Sequence, residues 1–140
     1  RRLAAQGWVR LCIDEIVAER VGVSGVDFPE RDFPRHRRAA MEQLEAELVR
    51  HLHARRSVVA ELGLWRRRNR ERGRSLVEAA GGVWQVVYFR ADLDVLRGRL
   101  AARAAQGGPN ALGVTENHLQ WVYAEFEAPY GEGEIIIDQR

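Results

Sequence analysis

Short uninterrupted apolar runs alternate along the chain with longer stretches in which apolar residues recur every three or four positions. Residues 8–13, Trp-Val-Arg-Leu-Cys-Ile, form the first run and suit a buried strand; it stops at Asp14, and a helical stretch follows through about Val21. Residues 22–34 hold glycines, Pro29 and Pro34, with Phe28 and Phe33 between them, which predicts a loop with apolar anchors. From Arg35 to Arg55, Met41, Leu44, Leu48 and Leu52 recur at helical spacing, with charged residues around them. Residues 57–62 read as a second buried strand, and Gly63 and Trp65 lead into an arginine-rich helix ending at Gly81-Gly82. Residues 83–89, Val-Trp-Gln-Val-Val-Tyr-Phe, carry the strongest strand signal, being β-branched and aromatic. Asp92 can cap a helix with the stripe Leu93, Leu96 and Leu100. Residues 106–113 predict a loop, and Thr115 can cap a last helix with Leu119, Val122, Tyr123 and Phe126 on one face. Pro129 to Gly133 break that helix, and 134–138, Glu-Ile-Ile-Ile-Asp, predict a closing strand.

Strands therefore alternate with helices, and the strands are continuous apolar runs. That combination predicts an α/β fold: a parallel sheet covered by helices on both faces, in one domain over residues 1–140. Ligands of such sheets bind beyond the carboxyl ends of the strands, so the residues just after each strand are the ones to read for chemistry.

Composition narrows the picture. The 140 residues are 46% hydrophobic and 30% charged, which excludes a disordered or collagen-like chain. All 22 basic residues are arginine, against 20 acidic ones, for a net charge of +2. So small a surplus does not by itself imply nucleic acid. The single cysteine, Cys12, can form neither an internal disulfide nor a Cys-based metal site and reads as a small buried thiol. No run reaches the roughly 18 apolar residues that cross a membrane, and no signal peptide is present; a cytoplasmic setting is expected. Residues 1–7, Arg-Arg-Leu-Ala-Ala-Gln-Gly, read like the last turns of a helix stopped by glycine.

The strand ends carry the candidate chemistry. Asp14-Glu15 follows the first strand, Glu61 ends the second, and Arg90 and Asp92 follow the third. Carboxylates and a basic residue at one edge suit phosphoryl transfer: one carboxylate accepts a substrate hydroxyl proton and another organises Mg²⁺, directly or through water. Asp14 also fits a plain helix N-cap, and Glu61 also fits a carboxylate paired with a nearby arginine. Arg97, Arg99 and Arg103 stand near the stripe of the helix after Asp92. Arg99 and Arg103 share a face, and they either clamp phosphate oxygens or belong to a solvated surface. The run Arg66-Arg67-Arg68-Asn69-Arg70-Glu71-Arg72-Gly73-Arg74 lacks interleaved aromatics beyond Trp65 and reads as a polar helix face rather than a nucleic-acid patch. His51 and His53 point to different sides of a helix, and Gly131-Glu132-Gly133 is not a phosphate loop, because no helix follows it.

Taken in order, Arg-Leu-Cys-Ile-Asp-Glu, Val-Val-Ala-Glu-Leu-Gly-Leu-Trp, Val-Val-Tyr-Phe-Arg-Ala, Arg-Leu-Ala-Ala-Arg and Pro-Asn-Ala-Leu-Gly-Val-Thr-Glu resemble the AAA-type P-loop ATP-binding proteins related to zeta toxin, chloramphenicol phosphotransferase and polynucleotide kinase. The resemblance implies a three-layer P-loop NTPase (kinase-like) fold, ATP and Mg²⁺ as cofactors, and a small-molecule hydroxyl as phosphate acceptor. It implies Asp14 as the catalytic base and Arg99 and Arg103 as lid arginines on the ATP phosphates. The acceptor would lie near residues 22–34 and 62–68, with Glu61 and Trp65 on its side of the site. Glu61 departs from the family, which usually shows Asp there.

The family opens with a central strand and a Gly-x-x-x-x-Gly-Lys-Ser/Thr loop, and these 140 residues hold no lysine and no such loop. The chain is therefore expected to be a fragment whose parent carried the loop; a natural product that lost it is the rival. Two other functions are carried beside the kinase: an inactive binding module that keeps the fold, and a nucleic-acid-end binder using residues 66–74. With the family's first strand absent, strands 8–13 and 57–62 should pair with each other, and 83–89 with 134–138. Between the two pairs a gap of about 9–10 Å, two strand spacings, or a direct pairing is expected.

Overall fold

Among the described residues, four short strands form two separate parallel pairs. The computed structural model describes residues 3–106 and 114–140. β1 (Val9–Cys12) lies beside β2 (Val58–Glu61), with Val9 opposite Val58 and Cys12 opposite Glu61. β3 (Val87–Arg90) lies beside β4 (Ile135–Asp138), with Val87 opposite Ile135 and Arg90 opposite Asp138. Both expected pairings are present, and β2 and β3 belong to different sheets.

The described residues form the helices α1 (Ile13–Val21), α2 (Phe33–His53), α3 (Arg67–Ala79), α4 (Leu93–Gln106) and α5 (Glu116–Glu125) between the strands. Pro34 sits in the first turn of α2, where a missing N–H costs nothing. Thr115 caps α5 as expected, its hydroxyl accepting from the His118 amide at 3.2 Å. Before β1, one 3₁₀ turn (Ala4–Gln6) ends at Gly7, whose φ is +87°.

The core lies over β1 and β2. Leu11, Ile13, Ile16 and Val17 meet Ala40, Leu44 and Leu48 of α2 and Val77 of α3. The four-residue spacing of Ala40, Leu44 and Leu48 gives α2 one buried stripe. Leu44 is fully buried, so truncating it to alanine is expected to cost about 2–5 kcal/mol. Phe28 and Phe33 pack on this core, anchoring the 22–34 loop as expected.

Two features differ from the sequence pattern. β3 begins at Val87 rather than at residue 83, and Val83 is almost fully exposed. The reason is the partner: the ladder opens where β4 begins, at Ile135, whose N–H reaches the Val86 carbonyl at 2.8 Å. Residues 83–86 have strand propensity but no ladder partner; the Gln85 side chain donates to the Gly133 carbonyl instead. The second difference is cover. The stripe of α4 is only half-buried, and Ile135, Ile136 and Ile137 are 40–50% exposed. Successive strand side chains point to opposite faces, so β4 is open on both. The loop expected at 106–113 lies, after Gln106, outside the described residues. Among the described residues no helix is long and apolar enough to cross a membrane.

Candidate active site

β1 ends at Cys12 and α1 starts at the next residue, so Asp14 stands half-buried in the first turn of α1, at the carboxyl edge of the sheet. The chain reverses from strand to helix without a connecting loop because the buried Ile13 serves the core at that point. Burial pushes the Asp14 carboxyl above the ordinary aspartate range. Arg37 of α2 and Arg103 of α4 pull it back down, and Glu61 and Glu15 push it up. Asp14, Glu61 and Arg103, three residues expected at the site, thus share one electrostatic neighbourhood. Arg37 and Glu15 join them.

Glu61 is committed to Arg10. The Arg10 Nε donates to Oε1 at 2.8 Å and a terminal nitrogen donates to Oε2 at 3.1 Å. The other terminal nitrogen donates to both oxygens of Glu15 at 2.7 Å. The register explains the triplet: Cys12 faces Glu61 across the ladder, and Arg10 is two residues back on the same face of β1. These bonds, Glu61's first and then Glu15's, hold the Arg10 charge firmly in place. The paired reading of Glu61 is therefore the one realised in the geometry. Among the described residues no group of three His, Cys, Asp or Glu side chains is arranged to hold a metal ion. Cys12 is buried, as expected, and burial raises its thiol.

Trp65 lies in the loop leaving β2. The Arg66 guanidinium sits 4.6 Å from the Trp65 ring centroid, and Trp121 meets that ring edge-on at 5.6 Å. The Trp65 carbonyl accepts from the Glu127 amide at 2.9 Å, and Arg66 pairs with Glu125 at 2.7 Å. Trp65 thereby fastens the loop after β2 to the end of α5.

The α4 arginines part company. Arg99 donates to the Gln139 side chain at 2.8 Å, while Arg103, one turn on, acts on Asp14. Arg97 bridges Asp94 and Glu116. Most of the arginine run 66–74 behaves as the expected polar face: Arg67 pairs with Glu71, Arg74 with Glu78 and Arg72 with Glu45. Arg70 does not; it is buried against Glu132. Three arginines escape the sequence reading. Arg10 had one signal, a charge inside an apolar strand; Arg37 and Arg70 had none, being single members of arginine-rich helical stretches.

A family model described as an AAA domain, AAA_33, matches residues 1–129. The chain belongs to the AAA_33 family. No curated protein matches it. A crystal structure of a presumed kinase from Chloroflexus aurantiacus j-10-fl is similar to this AAA_33 chain, with a TM-score of 0.67 and 20% identity over 96% of this chain and 72% of that one. At that identity the likeness concerns the fold. The AAA_33 chain thus has the α/β fold of the P-loop kinase-like nucleotide-binding domains, as its motif order implied.

Proposed function

We propose that this AAA_33 chain carries the acceptor side of an ATP-dependent phosphotransferase acting on a hydroxyl of a small molecule. One observation carries the reading: a half-buried carboxylate, Asp14, directly after β1 at the carboxyl edge of a parallel sheet, with Arg37 and Arg103 the leading cations of its electrostatic surroundings. A desolvated carboxylate is a stronger base than a solvated one, which suits removal of a hydroxyl proton. Asp14 takes that proton at a carboxylate oxygen. Arg103 adds positive charge to its electrostatic surroundings, which suits the negative charge of a phosphoryl group in transfer. Arg99, one turn away, supports the same end of α4 through Gln139. Glu61, whose carboxylate is held by Arg10, and Trp65, whose carbonyl ties the loop to the end of α5, act on the acceptor side by shaping the edge of β2 and its loop.

These residues alone do not fit ATP and Mg²⁺. The 140 residues hold no lysine and no Gly-x-x-x-x-Gly-Lys-Ser/Thr loop, the group whose lysine and hydroxyl would meet the phosphates and the metal. The split sheet supports a further parallel strand, carrying the phosphate loop, between β2 and β3: each pair keeps a free edge of amides and carbonyls that calls for a partner. The missing lysine also favours a second reading, an inactive module that retains the fold. The arginines of 66–74 support a nucleic-acid role poorly, since most of them are neutralised by carboxylates.

Calorimetry separates the two readings. The whole gene product is expected to bind ATP with a micromolar constant, about 8 kcal/mol, and the 140-residue chain far more weakly. Equal affinity in both, or no binding by the whole product, overturns the phosphotransferase reading.

A further inference from the structure

Arg37 stands where the acceptor loop and the candidate base meet. It projects from the second turn of α2, which packs on α1, β1 and β2. One terminal nitrogen donates to the Leu62 carbonyl at 3.0 Å, on the first residue after β2. The next residue, Gly63, has φ of +64°, and a Cβ built there would lie 2.9 Å from that same Arg37 nitrogen. Glycine at 63 therefore serves both the left-handed turn and the close approach of the guanidinium. The same side chain is the leading cation acting on Asp14. Arg103, the other cation, sits exposed on α4, a helix with no buried residue.

We infer that Arg37 is a positioning residue for the transfer: it fixes the loop after β2 through the Leu62 carbonyl and brings a standing positive charge into the surroundings of Asp14, so one guanidinium serves both the acceptor wall and the base. The inference rests on the reading of Asp14 as the base. Its charge role is separable from its anchoring role. Lys at 37 keeps the charge but loses the planar fork, whereas Gln loses the charge and, two bonds shorter than arginine, the reach to the Leu62 carbonyl as well. The charged groups acting on Asp14 are Arg37 from α2, Arg103 from α4, Glu61 from β2 and Glu15 from α1. Removing the first leaves one cation against two carboxylates.

The test is the titration of the Asp14 carboxyl carbon by NMR in the whole gene product, beside acceptor KM. Arg37→Gln is expected to raise the Asp14 midpoint by about 0.5–1 unit. Arg37→Lys is expected to leave the midpoint near the wild-type value while raising acceptor KM severalfold. An unmoved midpoint in Arg37→Gln overturns the inference. Should that variant fail to fold, Arg37→Lys decides alone: unchanged KM overturns it, and raised KM with an unmoved midpoint upholds it. The titration needs no turnover, so its failure is distinct from failure of Asp14 as a base, which shows as full activity in Asp14→Asn.

Discussion

Arg70 grips Glu132, 62 residues further along the chain, with two hydrogen bonds of 2.8 Å, and both side chains are shielded from solvent. A third bond runs from Arg70 to the Leu64 carbonyl at 2.9 Å. One side chain on α3 thus ties the loop after β2 to the turn before β4, across the two halves of the split sheet. Gly131 and Gly133, with φ of +67° and +72°, bend the chain on either side of Glu132 and aim it inward.

The pair should be expensive to break on one side only. Arg70→Met is expected to destabilise the protein by about 3–5 kcal/mol, because Glu132 is left buried without its partner. Arg70→Met combined with Glu132→Leu should cost less than the single change. Urea unfolding of the two variants checks the order; a single variant as stable as wild type contradicts it.

Glu132 and Asp14 should respond to pH with opposite signs. Hydrogen bonds from Arg70 hold Glu132 below its ordinary 4.5, so its contribution is present above about 4.5 and lost as pH falls through the folded value. Burial holds Asp14 above its ordinary 3.8, so its contribution is full below about 3.8 and lost as pH rises through the folded value. At neutral pH the ionised Asp14 works against folding. Asp14→Asn is therefore expected to match or exceed the wild-type melting temperature there, while Glu132→Gln weakens the protein at neutral pH and flattens the loss of stability on acidification. Thermal melts across acidic to neutral pH read both effects.

What the sequence disclosed was local. The buried stripe of α2, the Thr115 cap and the position of Asp14 after β1 follow from spacing and capping chemistry, while the partners of the four strands came from the family resemblance alone. What it hid was long-range. Arg10 meets Glu61 across 51 residues. In a chain whose basic residues are all arginine, nothing local distinguishes Arg70, which is buried, from Arg72, which is exposed. Arg37 was hidden for the same reason. The early start expected for β3 failed because strand propensity at residues 83–86 has no ladder to join.

Arg99 and Arg103 should differ in effect. Arg103→Ala is expected to lower kcat at least about tenfold by removing charge beside the transferred group. Arg99→Ala should lower it by a smaller factor, since its guanidinium is engaged by Gln139. Steady-state kinetics on the whole gene product rank the two, and the reverse order contradicts the placement of Arg103.

Nucleic acid should bind poorly despite the arginine run. With Arg67, Arg70, Arg72 and Arg74 paired to carboxylates, few are free to displace counterions. No sub-micromolar complex with single- or double-stranded oligonucleotides is expected at about 150 mM salt. A tight complex with a steep salt slope at that ionic strength would promote the nucleic-acid reading.

The role of Asp14 is tested most directly by transfer of labelled γ-phosphate from ATP, using the whole gene product and a panel of nucleosides, sugars, hydroxylated antibiotics and peptidoglycan precursors. The wild type is expected to label at least one acceptor, and Asp14→Asn to label it at least about a hundredfold more slowly with ATP affinity unchanged. Equal rates from the two proteins would contradict Asp14 as the base and the phosphotransferase site built around it.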